Sequence, residues 1–262
     1  MLEIKDLTKV FNPNTTVEKV ALDHLSLTVN DGDFITILGS NGAGKSTLFN
    51  CIAGDYRCNG GSVTLDGENI TYLKNYKRAK YIGRLFQDPL KGTAPHMTIA
   101  ENLALAYLRA SKHTDVFSRI TKKDLEVFQE ELRQLDMGLE DRMNVEVGTL
   151  SGGQRQALTL LMASIVPPKL LLLDEHTAAL DPKAAQKIIA LTKQIVEKNH
   201  TTCLMITHNL QQALSLGNRT IMMNQGRIVL DLKEEEKKKM TVEDLMHQYS
   251  KELDDDRILL GE

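Results

Sequence analysis

Cysteine, surplus basic charge and long apolar runs are all scarce in this chain of 262 residues. Its three cysteines, Cys51, Cys58 and Cys203, show neither a CxxC pair nor metal-ligand spacing, which is typical of reduced thiols in a cytosolic protein. The formal net charge of −3 gives no support to nucleic-acid binding, which a basic excess usually accompanies. No apolar run approaches the ~18 residues that span a bilayer. If the protein works at a membrane, we expect another chain to cross it.

The order of the apolar segments predicts an α/β fold. Short alternating runs between residues 2 and 38 are typical of strands, and the first of them lacks the apolar core of a signal peptide. KLLLLDE and TTCLMITHN are continuous apolar runs, as expected of buried strands, and an amphipathic helix separates them. Strand, helix and strand in that order indicate a parallel sheet. Residues 98–137 are predicted to be helical, with a capping box from Thr121 to Asp124.

The C-terminal part of the chain, from Asp231 onward, is highly charged. Its segment KEEEKKKM places Glu and Lys three or four residues apart, where they can pair on a helix. We therefore expect a solvated helix there rather than a binding arm.

The strongest local motif is GSNGAGKST, which fits the pattern G-x-x-x-x-G-K-[ST] of a phosphate-binding loop. Glycines let successive N–H groups of such a loop point at phosphate oxygens. Lys45 is expected to reach the outer phosphates of a nucleotide, and the Ser46 hydroxyl to ligate Mg²⁺. A chance glycine-rich turn is the alternative, but an apolar strand precedes the motif and a helix-like run follows it. The predicted phosphate-binding residues are Gly39, Ser40, Asn41, Gly42, Ala43, Gly44, Lys45, Ser46 and Thr47.

Two adjacent carboxylates end the apolar run of LLLLDEHTAALDP. In P-loop proteins a buried strand beside the loop ends in an Asp that holds Mg²⁺, and Asp174 is placed for that role. Glu175 follows it, where a carboxylate can orient and deprotonate an attacking water. The alternative is that Glu175 only caps the next element.

One further segment, LSGGQRQ at residues 150–156, resembles the signature sequence of ABC ATPases. With it, six motifs stand in the order found in that family, and the chain resembles an ABC-transporter ATP-binding subunit from residue 2 to about 230. The resemblance implies one ABC ATPase domain with a P-loop NTPase (RecA-like) core, an N-terminal antiparallel β subdomain and an inserted helical subdomain. The implied boundaries are 1–86 and 166–230 for the core with its β subdomain, 87–165 for the helical subdomain and 231–262 for a charged tail.

The same resemblance implies roles for individual residues. Gln87 in GRLFQDP would contact Mg²⁺ and the attacking water, and His208 in MITHN would contact the γ-phosphate and help fix Glu175. Two copies would pack head to tail as a homodimer with two ATP molecules between them, and Asp181 would lie at that interface. The signature residues that would close over the γ-phosphate of the other subunit are Ser151, Gly152, Gly153 and Gln154.

Two positions depart from the family pattern. Phe11 stands where the family carries an aromatic residue, more often Tyr, that stacks on adenine; packing in the core is the alternative for this ring. The absence of a guanine-reading NKxD motif favours ATP over GTP.

His176 stands where the family usually has proline, either as a tolerated substitution or as a residue that modulates Glu175 with pH.

Two classes of function remain open on these motifs. A single cassette resembles the separate ATP-binding subunits of bacterial importers, which sit at the cytoplasmic face of the cell membrane. There a permease would dock in a groove lined by parts of residues 84–106, and an extracytoplasmic binding protein would act through the permease. DEHTAALDP resembles a group suspected of amino-acid uptake, including aromatic amino acids. The alternative is a soluble ABC ATPase, such as one that assembles Fe–S clusters.

Overall fold

The structure is a computed structural model, and it describes residues 1–110, 120–248 and 250. The strands are β1 (Leu2–Phe11), β2 (Lys19–Val29), β3 (Phe34–Gly39), β4 (Gly60–Leu65), β5 (Glu68–Asn69), β6 (Ile82–Leu85), β7 (Leu170–Asp174), β8 (Thr202–Ile206), β9 (Arg219–Asn224) and β10 (Arg227–Leu232). The helices are α1 (Lys45–Ala53), α2 (Asn75–Arg78), α3 (Ile99–Ala110), α4 (Lys122–Arg133), α5 (Gly152–Ser164), α6 (Pro182–Asn199), α7 (Leu210–Ser215) and α8 (Glu234–Lys237). Residues 242–248 are also helical.

The described residues form two compact units. The first unit contains Met1–Arg78 and the described residues from Thr202 onward, and the second contains Ala79–Thr201. Strands and helices alternate through much of the chain, so the predicted α/β fold class is confirmed. The subdomain boundaries expected from the sequence stay a prediction. Within the described parts of the chain, no helix combines the length and apolarity needed to cross a membrane.

The first unit contains two sets of paired strands. The antiparallel sheet has the strand order β2-β1-β4-β5, which is the N-terminal β structure that the sequence predicts. The other strands follow the order β10-β9-β3-β8, and β3 runs parallel to both of its neighbours. Every residue of β3 is buried, as expected of a strand that is covered on both faces.

Helix α1 continues from β3 through the glycine-rich loop. It begins after Gly44 and ends at Gly54, which has a left-handed φ of +84° and donates its N–H to the Asn50 carbonyl at 3.0 Å. This is a common helix ending, because glycine adopts the left-handed conformation without strain. Leu48 and Phe49 are fully buried on the inner face of α1. Packing and capping therefore hold the helix that carries the end of the loop.

The second unit contains the parallel pair of β6 and β7, together with α3 to α6. All residues of β7 are buried, which confirms the strand predicted from KLLLLDE. Helix α4 begins at the predicted capping box, where Thr121 Oγ1 accepts from the Asp124 N–H at 3.3 Å and the Asp124 carboxylate accepts from the Thr121 N–H at 2.7 Å. The predicted helical stretch of residues 98–137 contains α3 and α4, and residues 111–119 lie outside the described residues.

The solvated helix predicted from KEEEKKKM is only partly correct. Lys238 makes the expected ion pairs with Glu234 at 2.8 Å and Glu235 at 3.3 Å. Lys237, in contrast, is 5% exposed and donates from Nζ to the Leu216 carbonyl at the end of α7. Burial lowers the pKa of Lys237 to about 8. The charge pattern alone did not show this contact, because it depends on how α8 packs against the rest of the first unit.

One apolar residue that follows α8 belongs to the core of the first unit. Leu245 is fully buried in a cluster with Leu38, Ala213, Met222 and Leu232. Leu38 lies on β3, directly before the first glycine of the glycine-rich loop. The described part of the C-terminal segment thus covers the strand that leads into that loop.

We expect Leu245→Ala to lower the free energy of unfolding by about 2–5 kcal/mol, because it leaves a cavity in a packed cluster. Met246→Ala is the matched control, since Met246 is the next residue and its side chain is 55% exposed. That change should stay within about 0.5 kcal/mol of the unsubstituted protein. Chemical denaturation of both variants measures the difference. Equal stabilities would mean that the C-terminal segment is not part of the folded core.

Candidate functional site

The glycine-rich loop joins β3 to α1 in the first unit. The side chain of Lys45 is 5% exposed, and its Nζ donates to the carbonyl oxygens of Gly39 at 2.7 Å and Ser40 at 2.9 Å. An ammonium group has three donors and no acceptor, so these contacts orient it inside the loop. Ser46 follows at the start of α1 and is exposed. The loop therefore presents a fixed positive charge and a hydroxyl to the same region.

Two glycines of the loop occupy positions where a side chain has no room. A Cβ on Gly39 would lie 2.3 Å from the Met223 carbonyl oxygen. Gly44 has a φ of +101°, and its Cβ would lie 2.4 Å from the Ala21 carbonyl oxygen. Gly44 also has no side chain that could cap the first turn of α1. Backbone N–H groups at such a helix start are suited to an anion, so the loop fits a phosphate group.

His208 lies at the same sheet edge as the glycine-rich loop. Strands β3 and β8 are parallel neighbours, with Ile37 opposite Ile206, and the Thr207 N–H donates to the Ile37 carbonyl at 3.1 Å. The side chain of His208 is exposed. Because carboxyl ends of parallel strands share one edge, the structure brings His208 and the loop of the first unit together.

A hydrogen-bond network holds the backbone on both sides of His208, and the sequence analysis missed it. Thr207 Oγ1 donates to Gln212 Oε1 at 3.0 Å and accepts from the Asn209 N–H at 3.1 Å. Asn209 Oδ1 in turn accepts from the Gln212 N–H at 2.9 Å, which caps α7. Asn209 before an apolar run is a recognisable helix start, but the pairing of Thr207 with Gln212 has no sequence signal of its own.

Lys19 is a further charged residue at the loop that the sequence analysis missed. A Cβ placed on Gly42 would lie 3.7 Å from Lys19 Nζ. Lys19 starts β2 and pairs with Phe11 at the end of β1. Its position in the chain is far from the motif, so only the folded antiparallel sheet brings this cation to the glycine-rich loop.

We expect Lys19→Ala to weaken ATP binding about 2- to 5-fold, because it removes an exposed cation near the phosphate-binding loop. The loss should shrink as salt is added, since exposed charges are screened. Lys5→Ala is the matched control, because Lys5 is an exposed lysine of the neighbouring strand β1. Titration calorimetry at two salt concentrations measures both variants. An equal effect of the two substitutions would remove any specific role for Lys19.

Phe11 makes contacts within the protein. Its ring packs edge-on against Tyr56, with 5.3 Å between the centroids and an angle of 84° between the planes. Lys9 Nζ lies 4.9 Å from the centroid of the same ring. The side chain is partly exposed. These contacts support the packing role that the sequence left open, and stacking on adenine stays a prediction.

The second unit brings Gln87 to the same sheet edge as Asp174 and Glu175. Leu85 at the end of β6 pairs with Leu173 near the end of β7 in a parallel register. Gln87 therefore follows one strand at the edge where the two carboxylates end the other. Asp174 is 9% exposed, Glu175 is partly exposed and Gln87 is exposed. An amide and two carboxylates at one edge can position a water molecule and accept its proton.

The backbone at Glu175 is unusual. Its φ is +46°, in the left-handed region that few residues other than glycine adopt. Such conformations cost of order 1–3 kcal/mol and occur often at functional sites. The turn that starts here continues with the Ala178 N–H, which donates to the Glu175 carbonyl at 3.0 Å. Strand β7 therefore ends before this turn. The turn sets the direction in which the Glu175 side chain leaves the backbone.

The LSGGQ residues form the start of α5 in the second unit. Ser151 Oγ accepts from the Gln154 N–H at 3.3 Å, and Gln154 Oε1 accepts from the Ser151 N–H at 3.2 Å. Because Ser151 Oγ accepts in this capping box, its hydroxyl hydrogen is left to donate to another group. Ser151 and Gly152 are exposed. The predicted anion-binding groups of this segment are thus at the protein surface.

Asp181 caps the start of α6. Its carboxylate accepts from the N–H groups of Lys183 at 3.1 Å and Ala184 at 3.0 Å, and the residue is exposed. A Cβ on Gly153 would lie 3.2 Å from the Ala184 Cβ, so the start of α5 packs closely against the start of α6. The structure therefore brings Asp181 and the LSGGQ segment together within this unit.

His176 is buried and does not face solvent. It is 2% exposed, and its Nε2 lies 3.0 Å from Thr192 Oγ1, which donates to the Ile188 carbonyl at 2.8 Å. The hydroxyl donates elsewhere, so Nε2 carries the hydrogen and Nδ1 is the acceptor; Nδ1 has no hydrogen-bond partner among the described residues. Burial lowers the pKa of His176 to about 4. The ring is neutral at ordinary pH, which favours the tolerated substitution over the pH-sensing role.

Oxygen ligands that suit Mg²⁺ are present in both units. The first unit supplies the exposed hydroxyl of Ser46 and the second supplies the carboxylate of Asp174. Mg²⁺ at nucleotide sites takes one or two protein ligands and completes its shell with phosphate oxygens and water. Each of these oxygen atoms is of a kind that binds this ion, and the assignment of the ligands stays a prediction.

Comparisons with known proteins match this arrangement of motifs. A family model described as ABC transporter matches residues 22–178, which include both the glycine-rich loop and LSGGQ. A tyrosine transport ATP-binding protein of Clostridioides difficile is 44% identical over 254 residues, covering 95% of this chain and 98% of that protein. A methionine import ATP-binding protein of Bartonella henselae is 34% identical over 232 residues, covering 87% of this chain and 64% of that protein.

Solved structures share the fold. An ATP-binding cassette in a dimeric post-hydrolysis state, bound to ADP and Pi, superposes with a TM-score of 0.78 at 27% identity. The match covers 89% of this chain and 99% of that one. The ADP conformation of another ATP-binding cassette of an ABC transporter gives a TM-score of 0.73 at 28% identity, over 91% of this chain and 93% of that one.

Proposed function

This chain belongs to the ABC transporter family, and we propose that it powers the uptake of an aromatic amino acid through a separate membrane permease. The chain is an ATPase subunit of an importer for a small solute, as its relatives among import ATP-binding proteins indicate. The proposal adds the class of substrate, the partners and the roles of individual residues.

The substrate class rests on one observation, the 44% identity to a tyrosine transport ATP-binding protein over almost the full length of both chains. The methionine import relative is 34% identical and matches over 64% of its length. An ATP-binding subunit does not touch the transported molecule, so its site residues carry no information on the substrate. We therefore propose tyrosine or a related aromatic amino acid on similarity along the whole chain.

The proposed nucleotide chemistry uses residues that follow β3 and β8 in the first unit and residues that follow β6 and β7 in the second. Lys45 is assigned to neutralise the outer phosphates of ATP, and the N–H groups at the start of α1 to bind them. Glu175 is assigned to accept a proton from the attacking water, which Gln87 and His208 help to position. Ser46 and Asp174 would hold Mg²⁺, which offsets negative charge on the phosphates when it is bound.

A head-to-tail homodimer would complete each nucleotide site. Ser151, Gly152 and Asp181 are exposed within the second unit, where a second copy can reach them. The start of α5 offers a hydroxyl, N–H groups and the positive end of the helix to a γ-phosphate. A twofold arrangement would use the same contacts twice, and ATP would favour the closed dimer because it binds both copies.

The proposed permease contact is the groove lined by parts of residues 84–106. Two large apolar side chains in this stretch of the second unit are strongly exposed, Leu90 at 44% and Leu105 at 52%. Exposed apolar side chains are suited to contact with another protein. We propose that the chain binds there to a permease at the cytoplasmic face of the cell membrane, and that an extracytoplasmic binding protein delivers the amino acid.

The test is to express Glu175→Gln in the native host, solubilise the membranes in mild detergent with ATP and Mg²⁺, and identify copurifying proteins by mass spectrometry. A variant that holds ATP without hydrolysing it should keep the complex closed, so we expect a multi-spanning permease and a binding protein. Membrane vesicles from the unsubstituted strain should then accumulate radiolabelled tyrosine when ATP is supplied inside.

One result would contradict the importer role, and another would contradict only the substrate class. A set of soluble partners with no membrane protein would favour a soluble ABC ATPase, such as one that assembles Fe–S clusters. A copurified permease together with uptake of methionine but not of aromatic amino acids would keep the importer and remove the substrate class. Vesicles that contain Lys45→Ala protein serve as the control for transport without hydrolysis.

A further inference from the structure

Two of the three cysteines come together at the end of α1 that lies away from the glycine-rich loop. Cys51 is on α1 and fully buried, whereas Cys58 is partly exposed in the segment that joins α1 to β4. Both are free thiols, and each lies close enough to the other to shift its pKa. The spacing of seven residues gave no sign of this pairing in the sequence.

The backbone on both sides of Cys58 is anchored. The N–H groups of Gly54 and Tyr56 both donate to the Asn50 carbonyl, at 3.0 Å and 3.1 Å, and turn the chain back over the end of α1. Asn59 donates its N–H to the Thr8 carbonyl at 2.8 Å on strand β1. The fold therefore holds the segment that carries Cys58 against the end of α1.

Two cations lie beside the pair. Lys9 Nζ donates to the Arg57 carbonyl at 3.0 Å, next to Cys58 in the chain. The Arg78 guanidinium donates to the Cys51 carbonyl at 2.8 Å. The hydrogen bond from Cys51, together with the charges of these two cations, lowers the pKa of Cys58 to about 7, although burial opposes the shift. The same hydrogen bond and burial raise the pKa of Cys51.

We propose that Cys51 and Cys58 form a reversible oxidation site, in which Cys58 is the attacking sulfur and Cys51 the resolving one, and that the resulting disulfide weakens nucleotide binding. Partial exposure gives a small oxidant access to Cys58, whereas the buried Cys51 is reached only by its neighbour. The formation of this disulfide does not depend on the proposed function. Its proposed effect on ATP binding does rest on that function.

The chemistry balances with hydrogen peroxide as the oxidant. The Cys58 thiolate attacks one peroxide oxygen, the O–O bond breaks, and the hydroxide that leaves takes up a proton to become water. Cys58 is then a sulfenic acid. The Cys51 sulfur attacks the Cys58 sulfur, the S–O bond breaks, and the departing hydroxide combines with the Cys51 proton as a second water. Two thiols are oxidised and one peroxide is reduced.

The link to the nucleotide is mechanical. A disulfide requires about 2.05 Å between the sulfur atoms, which is much shorter than a hydrogen bond between thiols. Closing that gap pulls the end of α1 toward the Cys58 segment. Helix α1 carries Lys45 and Ser46 at its start, and the segment is anchored to β1, which ends at Phe11. Both ends of the predicted nucleotide site are therefore coupled to the thiol pair.

The test treats the full chain with hydrogen peroxide and measures peptide masses and affinity for ATP with Mg²⁺ before and after treatment. We expect a peptide that links Cys51 to Cys58 and has lost two hydrogen atoms. We also expect ATP affinity to fall by about 5-fold or more, the lower end of usual coupling between two sites, and to recover with dithiothreitol. Binding by the reduced protein tests the proposed function independently, because the linked peptide forms whether or not ATP binds.

Three variants sharpen this test. Cys58→Ser and Cys51→Ala should keep their ATP affinity after peroxide, and Cys58→Ser remains informative if the buried Cys51→Ala fails to fold. Cys203→Ala is the matched control, since Cys203 is fully buried and burial raises its pKa, and it should respond like the unsubstituted chain. Absence of the linked peptide, or a Cys58→Ser variant that still loses affinity, would overturn the proposal. A linked peptide with unchanged affinity for ATP would overturn the proposed effect of the disulfide on nucleotide binding.

Discussion

Glu175→Gln is expected to lower kcat for ATP hydrolysis by about 10²–10⁴-fold while it leaves ATP affinity close to that of the unsubstituted chain. Glutamine has nearly the shape of glutamate, so the turn at Glu175 with its φ of +46° should survive the change. What is lost is a carboxylate that can take a proton from water at the sheet edge shared with Gln87. Steady-state hydrolysis and equilibrium binding of ATP measure the two effects separately.

Glu126→Gln is the control for this substitution. Glu126 is an exposed residue of α4 in the same unit, and its loss removes the same unit of charge from the protein surface. Its kcat should stay within about 2-fold of the original, since a surface substitution away from the site has little effect. If Glu175→Gln retained most of its activity, Glu175 would have to be reassigned as a residue that only shapes the turn after β7.

Local patterns were sufficient for the elements that carry the site. Strands β3, β7 and β8 are continuous apolar runs, and each is fully buried as such runs predict. The capping box at Thr121 depends only on residues three positions apart, so the sequence shows it directly. The P-loop motif is local in the same sense, because its fixed residues lie within one short stretch of the sequence.

Contacts between distant parts of the chain could not be predicted in this way. Lys19 reaches the glycine-rich loop only because β2 turns back against β1, and Lys237 is buried where α8 packs against β9 and β10. The pairing of Cys51 with Cys58 depends on the turn at Gly54. Each of these contacts is decided by tertiary packing, which composition and periodicity do not report.

Lys45→Ala is expected to lower kcat/KM for ATP hydrolysis by about 10²–10³-fold, the usual effect of removing one oriented charge or donor at a reacting anion. The Lys45 ammonium is buried and held by the carbonyls of Gly39 and Ser40, so the substitution removes a charge that the loop itself orients. Lys45→Arg should restore little of the loss, because the planar guanidinium has a different shape and reach from an ammonium group. Hydrolysis rates and nucleotide binding are measured together with the melting temperature of each variant.

The melting temperature matters because removing a buried lysine also disturbs the fold, and Lys237→Ala separates the two effects. Lys237 is 5% exposed, as Lys45 is, and its Nζ likewise donates to a backbone carbonyl, that of Leu216, in the same unit. Both alanine variants leave a small cavity and a carbonyl without its donor, so both should lose stability. Only Lys45→Ala should lose catalysis in the temperature range where both proteins remain folded. Parallel losses of stability and activity in both variants would assign Lys45 to the fold of the loop instead of to the phosphates.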